Sequence, residues 1–298
     1  MTFFRNFLVF AVIGLVTVAV AYGIGLWRLA PDRSVVDFLD IGQGDAIVVR
    51  QGKTEVLIDG GPDRSVLSQL GRVMPFSDRK IELVVATHPH DDHIVGLLDV
   101  FGRYGIGELV IPRALSGESA YRPLLERAER FGVPVRTVTS GDRFILGNAA
   151  LTVLWPGDDC LDRLAGLEFE SGEHDPVNVC SLVFRYDHCD GNGCRRALLM
   201  ADATGISEAL MLEDGTLPSA DLLKIGHHGS RFATTAPFLE IVRPKDAIIQ
   251  VGEKNTFGHP GHGVLLRLRH VGAEIWRNDR NGPIRAVPEG KGFGVEER

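Results

Sequence analysis

The sequence predicts an α/β protein, a four-layer αββα sandwich in which two sheets stack between outer helices. Three observations carry that prediction. The chain opens with strand patterns, then alternates strands with helices, and its second half repeats the same order. Its 35 glycines suit a fold with many strand-to-helix turns. Polar residues of ligand type recur at the ends of successive apolar runs, as they do where a rigid sheet supports a site.

Residues 34–41 and 45–50 alternate apolar and polar side chains in the manner of strands, joined by the tight connection Gly42-Gln43-Gly44. Residues 53–58 form a third strand ending at Asp59-Gly60-Gly61, where the glycines let the backbone pass close to another segment. A helix follows over 66–73. The apolar run 81–86 reads as a buried strand. After it, Ile94, Leu97, Leu98, Val100 and Phe101 have helical spacing, up to Gly105. A short strand at 108–111 closes at Pro112, and residues 121–131 are helical with Arg127 and Glu129 outward. Residues 133–138 and 151–155 read as strands. The acidic stretch 157–176 has little periodicity and is too long for an ordinary connection. A lid, with His174 on it, and a plain surface loop are both open there. In the second half the strands are 179–186, 196–200, 220–225, 247–251, 274–276 and 284–287. The helices are 206–212, 238–242 and 264–271, and a Gly/His/Pro loop covers 255–262.

The N-terminus stands apart. Residues 7–26 are almost wholly apolar between Arg5 and Arg28, long enough to span a bilayer as a helix. Ala19-Val20-Ala21 also offers the small residues of a signal-cleavage site, but apolar residues continue to Trp27, which favours an uncleaved anchor. We therefore divide the chain into an anchor or signal segment, 1–30, and one globular domain, 31–298. A short N-terminal tail usually stays inside, which places the domain outside the cytoplasm; the alternative is secretion after signal cleavage. The net charge of −7 excludes an overall polybasic nucleic-acid binder, so any grip on phosphate is local or made by metal. Cys189 and Cys194 lie on the two arms of an expected hairpin turn, where a disulfide and two free thiols are both open. No CxxC pair supports a separate structural zinc site.

The chemistry concentrates at Thr87-His88-Pro89-His90-Asp91-Asp92-His93. Imidazole and carboxylate are the ligands of zinc, iron and manganese. A loop after a strand projects His88 and His90 to one side, while Asp92 and His93 at the start of a helix face a second point nearby. The spacing therefore suits two metal ions. A merely His-rich polar loop is the alternative, but this density of ligand types after a buried strand has few other uses. Asp59, Asp202 and His228 end further strands. Asp202 follows the buried run Ala197-Leu198-Leu199-Met200 and can bridge two metals, cap the next helix, or do both. His227 and His228 are adjacent and point to different sides, so one of them is a direct ligand.

These segments together resemble a known family. THPHDDH is similar to the HxHxDH motif of the metallo-β-lactamase fold. Phe38-Leu-Asp-Ile-Gly-Gln-Gly-Asp45, Leu57-Ile-Asp59-Gly-Gly, Asp202, Lys224-Ile-Gly-His-His-Gly-Ser230 and Asn255-x-Phe-Gly-His259-Pro resemble the hydrolase domain of ComEC-type competence (DNA-internalisation) proteins, over about residues 34 to 288. The resemblance implies one metal site from His88, His90 and Asp202, with Asn178 where the fold usually has a third histidine. It implies a second from Asp92, His93, Asp202 and His228, because the residue directly before the glycine matches the fold's last ligand. Asp59 then holds a ligand or the bridging water in place, His227 contacts substrate or leaving group, and His259 and Ser230 donate to a phosphate. Asp91 is the variable position and points outward.

The implied activity is metal-dependent hydrolysis with two divalent ions, zinc or manganese, in which a hydroxide shared between them attacks the substrate. The expected substrate is a phosphodiester, with nucleic acid among the candidates. Competence channels have many membrane spans whereas this sequence has one apolar segment, so we expect a stand-alone member without a DNA-uptake role. Hydrolysis of a lactone, β-lactam or thioester is the alternative within the same class. A non-catalytic metal-binding module is the alternative outside it.

Overall fold

The protein is described by a computed structural model, whose described residues are Gly14, Leu15, Thr17, 34–166 and 175–298. The apolar segment 7–26 lies outside them except for those three residues, and so does 167–174, the part of the acidic stretch that carries His174. Among the described residues, no helix is long and apolar enough to cross a membrane.

The domain begins with an antiparallel meander, β1 (Ser34–Phe38), β2 (Ile47–Gln51) and β3 (Thr54–Ile58). It continues as α1 (Ser65–Val73), β4 (Lys80–Val85), α2 (Asp91–Val100), β5 (Gly105–Pro112), α3 (Arg122–Arg130) and β6 (Val135–Val138), with β3 to β6 parallel. A second antiparallel run follows: β7 (Arg143–Leu146), β8 (Ala149–Trp155), the short helices α4 (Cys160–Leu164) and α5 (Pro176–Val179), β9 (Val183–Asp190) and β10 (Gly193–Leu199). Then come α6 (Gly205–Glu213), β11 (Leu222–Lys224), α7 (Ala236–Val242), β12 (Asp246–Ile249), α8 (His262–His270) and β13 (Glu274–Arg277), with β10 to β13 parallel. After α9 (Asn278–Asn281), the hairpin of β14 (Ile284–Glu289) and β15 (Gly292–Glu297) returns to pair with β1. The result is an eight-stranded sheet, β15-β14-β1-β2-β3-β4-β5-β6, and a seven-stranded sheet, β13-β12-β11-β10-β9-β8-β7.

Side-chain alternation explains the layering. Val36 and Phe38, Ile47 and Val49, Val56 and Ile58, and Leu83 and Val85 fill the core between the sheets with Phe184, Tyr186 and Leu199. The intervening Val48, Leu57 and Val84 pack under the helices against Val66, Leu70, Ile94 and Leu97. Both faces of the central strands are covered, which is why they read as continuous apolar runs. In α1 the buried positions Val66, Gln69, Leu70 and Val73 make one helical stripe. In α2 the stripe of Val100, Leu97 and Ile94 extends to His93 at the first turn, so packing this helix aims an imidazole inward. The segment that passes close to Gly60 is α2: a Cβ on Gly96 would stand 1.9 Å from Gly60 O.

The structure corrects several expected elements. Val179 ends a helical turn, and its strand starts only at Val183. The reason is local: Pro176 suits a first helical turn and the Asp175 side chain caps it by accepting from Val177 N at 2.9 Å. Strands β7 and β15 were not expected; both lie at sheet edges, β7 with only four residues and β15 with glycine or glutamate at four of its six positions, so neither gives a long apolar pattern. The acidic stretch contains α4, joined to the end of α5 by a Cys160–Cys180 disulfide. Cys189 and Cys194 face each other across the β9–β10 hairpin and form the second disulfide.

Candidate metal centre

The site is assembled at the carboxyl ends of parallel strands, where loops converge above a rigid frame. Asp59 follows β3, the His88–His93 loop follows β4, Asp202 follows β10, His227 and His228 follow β11, and Gln250 follows β12. Tight turns present these residues. Asp59, Ala201, His227 and His228 all have positive φ, at 59°, 44°, 45° and 53°. The left-handed region costs an L residue roughly 1–2 kcal/mol, and such positions gather at functional sites when their surroundings over-determine them. Here Ala201 O accepts from His227 N at 3.0 Å and from Lys224 Nζ at 2.9 Å, tying two of the turns together.

Two groups of donors share Asp202. The ligand atoms of Asp92, His93, Asp202 and His228 lie within 4.8 Å of one another, and so do those of His88, His90 and Asp202. In the first group, Asp202 Oδ1 is 3.3 Å from His93 Nε2 and 3.4 Å from His228 Nε2, which is 3.3 Å from Asp92 Oδ2. A tetrahedral ion with bonds of about 2.1 Å sets its ligands about 3.4 Å apart, so these spacings match one cation. Asp202 Oδ2 faces the other group, 3.7 Å from His88 Nε2. One carboxylate thus offers an oxygen to each side.

The protein commits the other nitrogen of each ring. His93 Nδ1 donates to Asp59 Oδ2 at 2.8 Å, and His228 Nδ1 donates to Gln250 O at 3.0 Å. Thr87 Oγ1 donates to Asp59 Oδ2 at 2.7 Å and accepts from His88 Nδ1 at 3.1 Å. Nε2 of His88, His93 and His228 and Asp202 Oδ1 remain buried without a hydrogen-bond partner. Buried polar atoms are nearly always paired, so four orphans turned toward one another fit a cation. Electrostatics agree. Burial disfavours the charged rings of His93 and His228, yet Asp202, with Asp59 and Asp92 beside His93 and Asp45 beside His228, holds both well above the usual histidine range. The carboxyl of Asp202 is held well below its usual range because His228, His93 and His227 outweigh its burial. His88 is pushed well down by burial and by His93. These carboxylates attract positive charge to this point.

The remaining expected residues lie around this centre. Asp59 holds His93 and the Thr87 backbone, where it accepts from N at 2.8 Å. Asn178 Nδ2 is 3.4 Å from His227 Nε2, while its Oδ1 is buried and unpartnered. His227 Nε2 is 3.8 Å from Asp202 Oδ2, and the ring is 5.8 Å, centroid to centroid, from His259. Burial lowers both, His259 to about 4. Asp91 is exposed, and Ser230 is buried with its Oγ accepting from Phe232 N. Asp202 does not cap the next helix; Thr204 does, in a capping box with Ser207, which leaves both Asp202 oxygens to the centre.

Other participants escaped the sequence reading. Asp45 and Lys224 form a buried ion pair under the site, and Asp45 Oδ1 lies 3.3 Å from His228 Nδ1. Their signal was a lysine inside an apolar strand, which demands a buried partner. Gln250 contributes only a backbone carbonyl to His228, which no residue type announces. Asp175 Oδ2 lies 2.8 Å from His90 Nε2.

Two sheets between helices, with donors for metal at the strand ends, define a class. The chain belongs to the metallo-β-lactamase superfamily, whose family model matches residues 39–253. Among curated proteins it is similar to ComE operon protein 3 of Bacillus subtilis, 29% identical over 84% of this chain and 32% of that protein. It is also similar to Recombination protein 2 of Haemophilus influenzae, 26% identical over 84% of this chain and 28% of that one. Competence protein ComA of Neisseria gonorrhoeae is 24% identical over 85% and 32%. The resemblance to ComEC-type competence proteins is thus borne out, although the chain spans only about a third of the length of these relatives. Among solved structures, the fold is shared with CmlA, a diiron β-hydroxylase from Streptomyces venezuelae (TM-score 0.54, 18% identity, 87% of this chain and 55% of that one). It is shared too with the metallo-β-lactamase fold protein YhfI from Bacillus subtilis (TM-score 0.53, 13% identity, 82% and 96%).

Proposed function

We propose that this protein is a dinuclear metal-dependent hydrolase of phosphodiesters, with nucleic acid the foremost candidate substrate. The observation that carries the proposal is the pair of donor groups sharing Asp202, with its two oxygens divided between them. His88, His90 and Asp202, with the free Oδ1 of Asn178 nearby, would hold one ion; Asp92, His93, Asp202 and His228 would hold the other. When bound, two divalent cations of the zinc or manganese type polarise a phosphoryl group and neutralise charge that builds on its oxygens. The chain's own contribution is preorganisation. Asp59, Gln250 and Thr87 fix the ring tautomers, and the buried frame holds the donors in place. His227 and His259, kept uncharged by burial, stand beside the centre, where His227 Nε2 accepts from Asn178 Nδ2 at 3.4 Å and the half-buried His259 ring is available to the substrate or leaving group. Phe257, 68% exposed, lies nearly parallel to the His259 ring and offers an aromatic face to a base or other flat group. The names of the relatives, which concern competence and recombination, favour a nucleic-acid phosphodiester over a lactam.

We also propose that residues 7–26 anchor the chain and that the domain works outside the cytoplasm, or is secreted. Two disulfides support an oxidising location. The test of activity is turnover of bis-p-nitrophenyl phosphate and of a chromogenic β-lactam with manganese or zinc. Phosphodiester turnover that is lost with chelator and in Asp92→Ala and His228→Ala is expected. Lactam turnover without phosphodiester turnover would overturn the proposal, and bound metal without turnover of either substrate would favour a non-catalytic metal-binding module.

A further inference from the structure

Three of the four imidazoles in the two donor groups use Nδ1 to hold the protein, and their Nε2 faces inward. His90 is reversed. Its Nε2 lies 2.8 Å from Asp175 Oδ2, so Nδ1 is the nitrogen left for a cation. A carboxylate accepts only, so in the neutral ring Nε2 carries the proton and Nδ1 the lone pair. The other oxygen of Asp175 accepts from Val177 N at 2.9 Å and caps α5. That helix is itself well fixed. Its last carbonyl, Val179 O, accepts from Trp155 Nε1 at 2.6 Å and from Ser207 Oγ at 2.8 Å. The next residue, Cys180, is bonded to Cys160, and Leu182 N donates to Thr87 O at 3.1 Å, beside His88.

We propose that Asp175 is a positioning residue for the first metal site, setting the tautomer and orientation of His90. This rests on the dinuclear reading above. It gives the His88/His90 side a supporting carboxylate, as Asp59 supports His93 on the other side. The short helix is then the device that delivers the carboxylate: one oxygen starts the helix and the other faces the ring.

The test uses the full-length chain with Asp175→Asn and Asp175→Ser. Both replacements cap a helix about as well as aspartate. With the cap kept, asparagine presents its amide N–H to Nε2 and forces the opposite tautomer; serine removes the partner. Zinc alone is titrated calorimetrically, and the His90 tautomer is read by 15N NMR in metal-free protein. We expect a protonated Nε2 in the parent and a protonated Nδ1 in Asp175→Asn. In both variants one of the two zinc affinities should fall about 10–100-fold, with the other unchanged. Unaltered zinc affinities in both variants, or a parent ring protonated at Nδ1, would overturn the proposal. If the parent takes up no zinc, the dinuclear reading fails instead, while the tautomer still decides the role of Asp175.

Discussion

Lys224 offers the sharpest test of how the centre is supported. Its side chain and that of Asp45 are 0% and 1% exposed, and Nζ also donates to Ala201 O at 2.9 Å. Lys224→Met keeps the stem and deletes the charge. Asp45 would then be a buried anion that has lost its main counter-charge, in a region that already holds Asp59, Asp92 and Asp202. Breaking a buried pair from one side costs about 3–5 kcal/mol, while Ala201 O loses one of its two donors and keeps His227 N. Against a domain stability on the order of 5–15 kcal/mol, that is a large fraction. Removing both charges in Asp45→Asn/Lys224→Met should recover part of the loss, giving a coupling of about 2 kcal/mol or more in a double-mutant cycle. The assay is urea unfolding of the metal-free protein in chelator, followed by tryptophan fluorescence. A cost under about 1 kcal/mol for Lys224→Met, or strict additivity of the two replacements, would refute the reasoning.

Two further outcomes follow from the same structure. Glu55 is 1% exposed, and burial together with Asp78 and Glu82 pushes its carboxyl up from 4.5 to about 7. The folded protein therefore holds this proton more tightly than the unfolded chain, so the stability it contributes is present at low pH and is lost as pH rises from about 4.5 through about 7. Glu55→Gln should match the parent at pH 4 and exceed it at pH 8 by up to roughly 3 kcal/mol, as measured by urea unfolding across pH; an equal gain at both pH values would contradict this. The Cys160–Cys180 bond spans 20 residues, so Cys160→Ser/Cys180→Ser should cost about 3 kcal/mol on loop-closure grounds. An unchanged thermal midpoint in that variant would show that the link carries no such constraint.

The sequence by itself determined the architecture and half of the centre. Apolar runs of strand length alternating with helical stripes dictate two covered sheets, because each apolar face must be buried. The donors of the His88–His93 loop sit within six positions of one another, so their convergence is a local property of one strand-to-helix turn. Sequence pattern also placed Asp202 and the His227-His228 pair at strand ends, and the family resemblance selected His228 between the two. Tertiary structure alone decided how they meet. Asp202 divides its oxygens between two groups because Thr204, two residues on, takes over the helix cap. Asp45 and Lys224, 179 positions apart, become partners only when β11 lies over the turn before β2. The ring nitrogens are set by a carbonyl of Gln250 and by carboxylates of Asp59 and Asp175. Hydrogen-bond partners of that kind depend on where the backbone passes, and backbone proximity across sheets has no signature in residue type.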